Sequence, residues 1–153
     1  MKLPRTRGCF VCGVANPMGL ALEFQTVDDA VEADVTFRTE HAGFRDTVHG
    51  GLLATVLDEA MVWACGVRAG VFAYCAELTT RFLQPARPGV ALRVRATLTA
   101  NKRGRLFEVA GELSGPDGTV HATASGKYLP IPPPVLEPML DDFVGDIDAI
   151  IRR

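Results

Sequence analysis

Charge of one sign, long apolar runs, histidine and cysteine are all scarce in this chain, and each scarcity closes off a class of function. The 153 residues carry 16 Lys and Arg against 18 Asp and Glu, a formal net charge of −2. With neither sign in excess, no whole-protein field gathers nucleic acid or an anionic membrane surface. No uninterrupted apolar stretch approaches the roughly 20 residues that span a bilayer, so no membrane partner is expected. Residues 1–13 include basic side chains but no apolar h-region, so they do not read as a signal peptide, and the expected location is the cytoplasm. The four cysteines, at positions 9, 12, 65 and 75, are too few for a disulfide scaffold. Free thiols in a reducing compartment are the plain reading. The three histidines have no metal-ligand spacing.

What remains is ordinary globular material. Nearly half of the residues are apolar, and a chain of this length makes one domain that buries roughly 70% of its unfolded surface. Residues 1–19 are rich in Gly, Pro and Cys and read as loop. Alternation over Leu20, Leu22 and Phe24, then over Val31, Ala33, Val35 and Phe37, predicts a first hairpin turning at Asp28-Asp29. From Gly50 to about Ala69, apolar residues at 53, 56, 57, 60, 61 and 64 have helix spacing. Others fall off that stripe, which describes a helix buried nearly all round. Four strand-like stretches follow, at 75–84, 90–98, around Phe107 to Leu113, and 120–129. Turns at Asn101–Gly104 and Gly115–Gly118 separate the last three. Two strands, one long helix and four strands make an α+β fold: a six-stranded antiparallel sheet wrapping the helix. Residues 131–153 form a proline-rich exit and then an amphipathic helix, read from Leu140, Phe143, Val144, Ile147, Ile150 and Ile151, with Arg152-Arg153 at its dipole-favoured end. No internal repeat is visible.

The chemistry gathers around His49-Gly50-Gly51 and Asp58. Two glycines at a helix mouth leave backbone N–H groups open, and the helix dipole adds partial positive charge there. Such an end can hold a developing oxyanion. Asp58 lies seven residues after Gly51, among Val56, Leu57, Ala60 and Met61, and suits a nucleophile or a base that activates water. Glu59, about 100° round the helix, reads as a solvated or paired charge, and His49 as a loop-fixing hydrogen bonder. Seven residues are almost two turns, so Gly51 and Asp58 share a side but stand roughly 10 Å apart along the axis. One small carbonyl does not reach both. If both act, each site takes Gly51 from one subunit and Asp58 from another, as in a symmetric dimer with antiparallel helices.

The string His49-Gly50-Gly51-Leu52-Leu53 with Asp58-Glu59, then Arg81-Phe82-Leu83-Gln84-Pro85, then Ala122-Thr123-Ala124-Ser125-Gly126-Lys127-Tyr128, resembles hotdog-fold thioesterases of the phenylacetate-pathway (PaaI-like) type. The resemblance covers about residues 16–130, with the hotdog domain drawn at 20–130. It implies dimers and often tetramers that hydrolyse acyl-CoA thioesters with no metal and no cofactor. Asp58 would attack or activate water, and the Gly51 N–H, with Gly50 beside it, would polarise the carbonyl. Two positions depart from the family pattern. Gly43 stands where many relatives carry asparagine, leaving His41 or His49 as substitutes. Cys75 stands nearest the place of a usual Ser or Thr, with Thr79 and Thr80 farther along. Lys102, Arg103 and Arg105 are candidates for CoA phosphates, or else a solvated hairpin tip. Met61, Trp63 and Phe72 are candidate pocket walls, or else core. The competing functions are a non-catalytic acyl-CoA-binding protein, a hydratase and a zinc-dependent interaction module.

Cys9-Phe10-Val11-Cys12-Gly13 resembles half of a zinc knuckle. No second C-x-x-C supplies the other two ligands, and no βαβ context supplies a redox motif. The segment reads foremost as a structural loop, with metal and redox roles as alternatives.

Overall fold

The alternation and the helical stripe fold as elements of one layered unit in the computed structural model, which describes residues 1–151. The elements are β1 (Arg5–Thr6), β2 (Gln25–Val27), β3 (Ala30–Thr36), α1 (Gly50–Ala69), β4 (Ala73–Phe82), β5 (Ala91–Asn101), β6 (Phe107–Ser114), β7 (Val120–Pro130), α2 (Pro133–Met139) and β8 (Phe143–Val144). Six strands form one antiparallel sheet in the order β2-β3-β5-β6-β7-β4, and α1 packs on its inner face. This is the hotdog arrangement expected above.

Period-two patterning sets the register. In β5, Leu92, Val94 and Ala96 point inward and are buried, while Arg93 and Arg95 point outward. Arg93 sits directly opposite Asp34 of β3, with Nε 2.8 Å from Oδ1, and Arg95 sits opposite Glu32 and bonds it. The Arg93–Asp34 pair is exposed and adds little stability, whereas Glu32 is buried beneath Arg95. Opposite charges still penalise a slipped pairing, because a one-residue slip would also turn Val94 out to water.

The helix begins at the His49 cap and ends at Gly70, whose φ of 73° is the left-handed conformation that closes helices. Leu53, Val56, Leu57, Ala60, Met61, Trp63, Ala64 and Cys65 are buried on it. By length and hydropathy α1 is apolar enough to cross a bilayer, contrary to the expectation from the sequence. Its apolar residues are instead taken up by the sheet, which is what a central core helix requires.

Three expectations are corrected. Residues 20–24 are not a strand. Leu22 and Phe24 are buried, but their backbone is bonded to the N-terminal segment, with Leu22 N–H on Val11 O and Leu3 N–H on Phe24 O. The N-terminal segment is not wholly loop, because β1 pairs with β8 in a separate two-stranded sheet. The C-terminal helix exists but is α2, seven residues inside the proline-rich exit, where Pro133 suits a first helical turn. The apolar residues 140–151 form a 3-10 turn, β8 and an irregular tail. Gly145, at φ 109°, breaks any continuing helix, and Ile147, Ile150 and Ile151 still reach the core. Arg152-Arg153 lie outside the described residues.

One feature of the sheet stands out. The ten-residue β4 is an edge strand and is exposed along most of its length. Long bare edges are uncommon in proteins that work alone.

Leu57 is fully buried between α1 and the sheet. Leu57→Ala should lower stability by about 2–5 kcal/mol, read as a shift in the urea midpoint at fixed protein concentration. An unchanged midpoint would contradict this packing.

Candidate active site

Local geometry at the mouth of α1 is set by a histidine. His49 Nδ1 accepts a hydrogen bond from the Gly51 N–H at 2.9 Å, and His49 N–H donates to His41 O at 2.9 Å. The imidazole thereby takes one of the open donors of the first turn. The Gly50 N–H has no partner among the described residues. It faces a cleft of about 550 Å³ lined by Phe44, Val48, Leu53, Phe82 and Leu83, among others. Of the two glycines read from the sequence, Gly50 therefore offers the open donor and Gly51 the capped one. Gly43 lines the same cleft. A Cβ at position 43 would stand 3.1 Å from His49 Cα and 3.2 Å from its Cδ2, so a side chain there would press His49 aside by a few tenths of an ångström. His41 is turned elsewhere, its Nδ1 accepting from the Arg38 N–H at 3.0 Å, and burial holds its pKa below the usual imidazole range.

Asp58 opens on a different cleft, of about 280 Å³, shared with Cys75, Tyr74, Trp63, Phe72, Cys9 and Glu59. The Tyr128 hydroxyl donates to Asp58 Oδ1 at 2.7 Å, which fixes the carboxylate. Burial first, then this bond, raises the Tyr128 pKa, so the phenol stays protonated and a donor. Cys75 sits beside the pair at a bulge in β4. Burial and then the Asp58 charge raise its thiol pKa. The same two causes push Cys65 up to about 12.

Within one chain the structure thus keeps the helix mouth and Asp58 apart, in separate clefts. Met61 lines neither. It is fully buried and fills the space over Gly111 and Gly126, so its candidacy as a pocket wall is withdrawn. Trp63 and Phe72 do bound the Asp58 cleft. Thr80 is half-buried on β4 and lines neither cleft. Lys102, Arg103 and Arg105 are exposed at the β5–β6 turn, with Lys102 Nζ 3.6 Å from Glu108. Glu59 is half-buried and has no paired cation among the described residues. It packs against Cys9, Cys12 and Trp63, and desolvation pushes its carboxyl up to about 7. Cys9 is drawn down to about 5, chiefly by the Cys12 thiol, which is itself pushed up. Reasoning from sequence missed Tyr128 as a partner of Asp58. Alternation along β7 does place Ala122, Ala124, Gly126 and Tyr128 inward, with Tyr128 the one large side chain.

The class of protein is defined by this helix-on-sheet frame with its bare edge strand. The thioesterase superfamily profile matches residues 46–121, which hold both clefts' key residues apart from Tyr128. A putative thioesterase of Ralstonia eutropha, described as phenylacetic acid degradation-related, is 30% identical, with a TM-score of 0.63, over 72% of this chain and 85% of that one. A thioesterase superfamily protein with a TM-score of 0.75 is 27% identical over 80% of this chain, which spans only 60% of that protein's length. A Streptococcus mutans protein described as bound to acetyl CoA is 14% identical, with a TM-score of 0.66, over 72% and 88% of the two chains. No curated protein matches the sequence. The chain belongs to the thioesterase superfamily, as a hotdog member of the PaaI-like type.

The raised Cys75 pKa carries a sign that can be read. Below that pKa only the thiolate fraction reacts, so Asp58→Asn, which removes a negative charge, should lower the pKa and speed alkylation of Cys75 near pH 8. Site-resolved mass spectrometry after iodoacetamide labelling measures this. A slower or unchanged rate would remove Asp58 from the neighbourhood described.

Proposed function

We propose that the protein hydrolyses acyl-CoA thioesters at sites built across a homodimer. The observation that carries this reading is the division of one set of groups between two clefts that both border β4. The Gly50 cleft reaches Phe82 at one end of the strand, and the Asp58 cleft reaches Tyr74 and Cys75 at the other. An antiparallel pairing of β4 with β4 of a second copy, about a two-fold near Leu78, would set Phe82 opposite Tyr74 of the partner subunit. Each Gly50 cleft would then continue into the partner's Asp58 cleft. The same pairing would satisfy the exposed edge.

In that joined cleft the thioester oxygen would accept from the Gly50 N–H at the positive end of α1. Asp58 of the partner, held through Oδ1 by Tyr128, would use Oδ2 to attack the carbonyl carbon or to take a proton from an attacking water. Collapse of the tetrahedral intermediate expels CoA as its thiolate. When water is the nucleophile the free acid forms directly; when Asp58 is, the acyl-aspartyl anhydride left behind is hydrolysed by a water, so both routes end at free acid and CoA. The acetyl CoA described in the Streptococcus mutans relative supports CoA as the carrier. The exposed cations of Lys102, Arg103 and Arg105 would meet its phosphates.

Complementation tests both the chemistry and the geometry. Asp58→Ala removes the carboxylate. Gly50→Pro removes the N–H at a first helical position where proline is tolerated, its Cβ 3.2 Å from the exposed Phe82 ring, which must give slightly. Each variant alone should lose roughly 10²-fold or more in kcat against an aliphatic and aryl acyl-CoA panel. Mixed and allowed to exchange subunits, they should recover roughly a quarter of wild-type activity, because half of the dimers are mixed and each holds one intact site. No recovery on exchange would place the site within one chain. Binding of acyl-CoA with no turnover by wild type would favour the non-catalytic reading.

A further inference from the structure

The Cys9–Gly13 segment has no part in the proposed reaction, and the structure gives it a third partner. The Gly13 N–H donates to Cys9 O at 2.9 Å, closing a turn so tight that a Cβ at position 13 would stand 2.2 Å from that oxygen. Inside the turn the Val11 N–H donates to Cys9 Sγ at 3.2 Å. A sulfur that receives a peptide N–H is held as a metal-binding thiolate is held. Facing it from α1 is Glu59, half-buried, with no lysine, arginine or histidine paired to it among the described residues. A carboxylate partly withdrawn from water without a cation is held at a cost. Cys9 Sγ, Cys12 Sγ and a Glu59 oxygen all lie within 4.8 Å of one another.

We propose that Cys9, Cys12 and Glu59 bind one zinc-type divalent cation, whose fourth position faces the Asp58 cleft. Zinc in tetrahedral geometry, with its usual bond lengths to sulfur and oxygen, sets a thiolate and a carboxylate oxygen roughly 3.5 Å apart. Cys9 Sγ and Glu59 Oε1 are 3.6 Å apart. Two thiolates select a borderline-soft ion over magnesium or calcium. Cys9 and Glu59 line the cleft that holds Asp58, whereas Cys12 does not, so three ligands close one side and the open position looks into the cleft. The thiol protons leave to solvent as the metal enters. The sequence argued against metal because a second C-x-x-C is absent. Here one carboxylate from the core helix takes the place of a third ligand, and the loop is tied to α1.

The test uses the whole protein, purified under reducing conditions. Elemental analysis should find one zinc per chain. After chelation and titration with Co²⁺, wild type should give a sulfur-to-cobalt charge-transfer band and the intense visible bands of a tetrahedral site. Cys12→Ser should lose roughly half of the sulfur band, because one of the two thiolates is gone. Glu59→Gln should keep that band but bind cobalt roughly tenfold or more weakly. Folded wild type, judged by circular dichroism, that gives no sulfur-to-cobalt band overturns the site. So does a Glu59→Gln protein with wild-type affinity, or a Cys9–Cys12 disulfide persisting in reductant. None of these readouts involves turnover, so the site stands or falls separately from thioester hydrolysis.

Discussion

The burial of α1 against the sheet is the constraint on which everything else in this molecule depends. A straight helix fixed along its length by Leu53, Val56, Leu57, Ala60 and Ala64 cannot bend its two polar features toward one another. The open N–H at Gly50 and the carboxylate at Asp58 are therefore set by the helical rise alone. Turning α1 to bring either group nearer would expose Leu57 or Met61. The same burial aims Glu59 at the N-terminal loop, one residue round from Asp58. A single rigid element thus supplies three chemical groups to three different neighbours.

That rigidity explains what was legible in the sequence and what was not. The helix limits, the hairpin at Asp28 and the turns at Asn101 and Gly115 follow from periodicity and turn chemistry, which are local. The separation of Gly51 and Asp58 was legible for the same reason. Tyr128 on Asp58 was not, because the two lie seventy residues apart and only the β7–β4 pairing brings the ring under the helix. Glu59 misled for a related cause. On a helix wheel it falls at the edge of the apolar stripe, and only the loop folded against it takes it partly out of water. The tail misled because Ile147, Ile150 and Ile151 are apolar for contact with the core, and helical spacing was incidental to that.

The N-terminal segment changes the picture of a helix and a sheet alone. β1 pairs with β8, and the backbone of Leu3, Leu20 and Leu22 joins the segment to its neighbours. The two ends of the described chain are thereby closed into one flap over α1. Phe143 stacks on Phe72 and meets Trp63 edge-on, so the flap shares its aromatic floor with the Asp58 cleft. The cleft's depth is set as much by these added segments as by the hotdog frame.

The contact between Gly43 and His49 couples the two positions mechanically. The ring that caps α1 lies against the place where a side chain at position 43 would go. A side chain at 43 would need His49 to give by a few tenths of an ångström, which would strain the cap on the Gly51 N–H. Substitutions at 43 and 49 should therefore be non-additive.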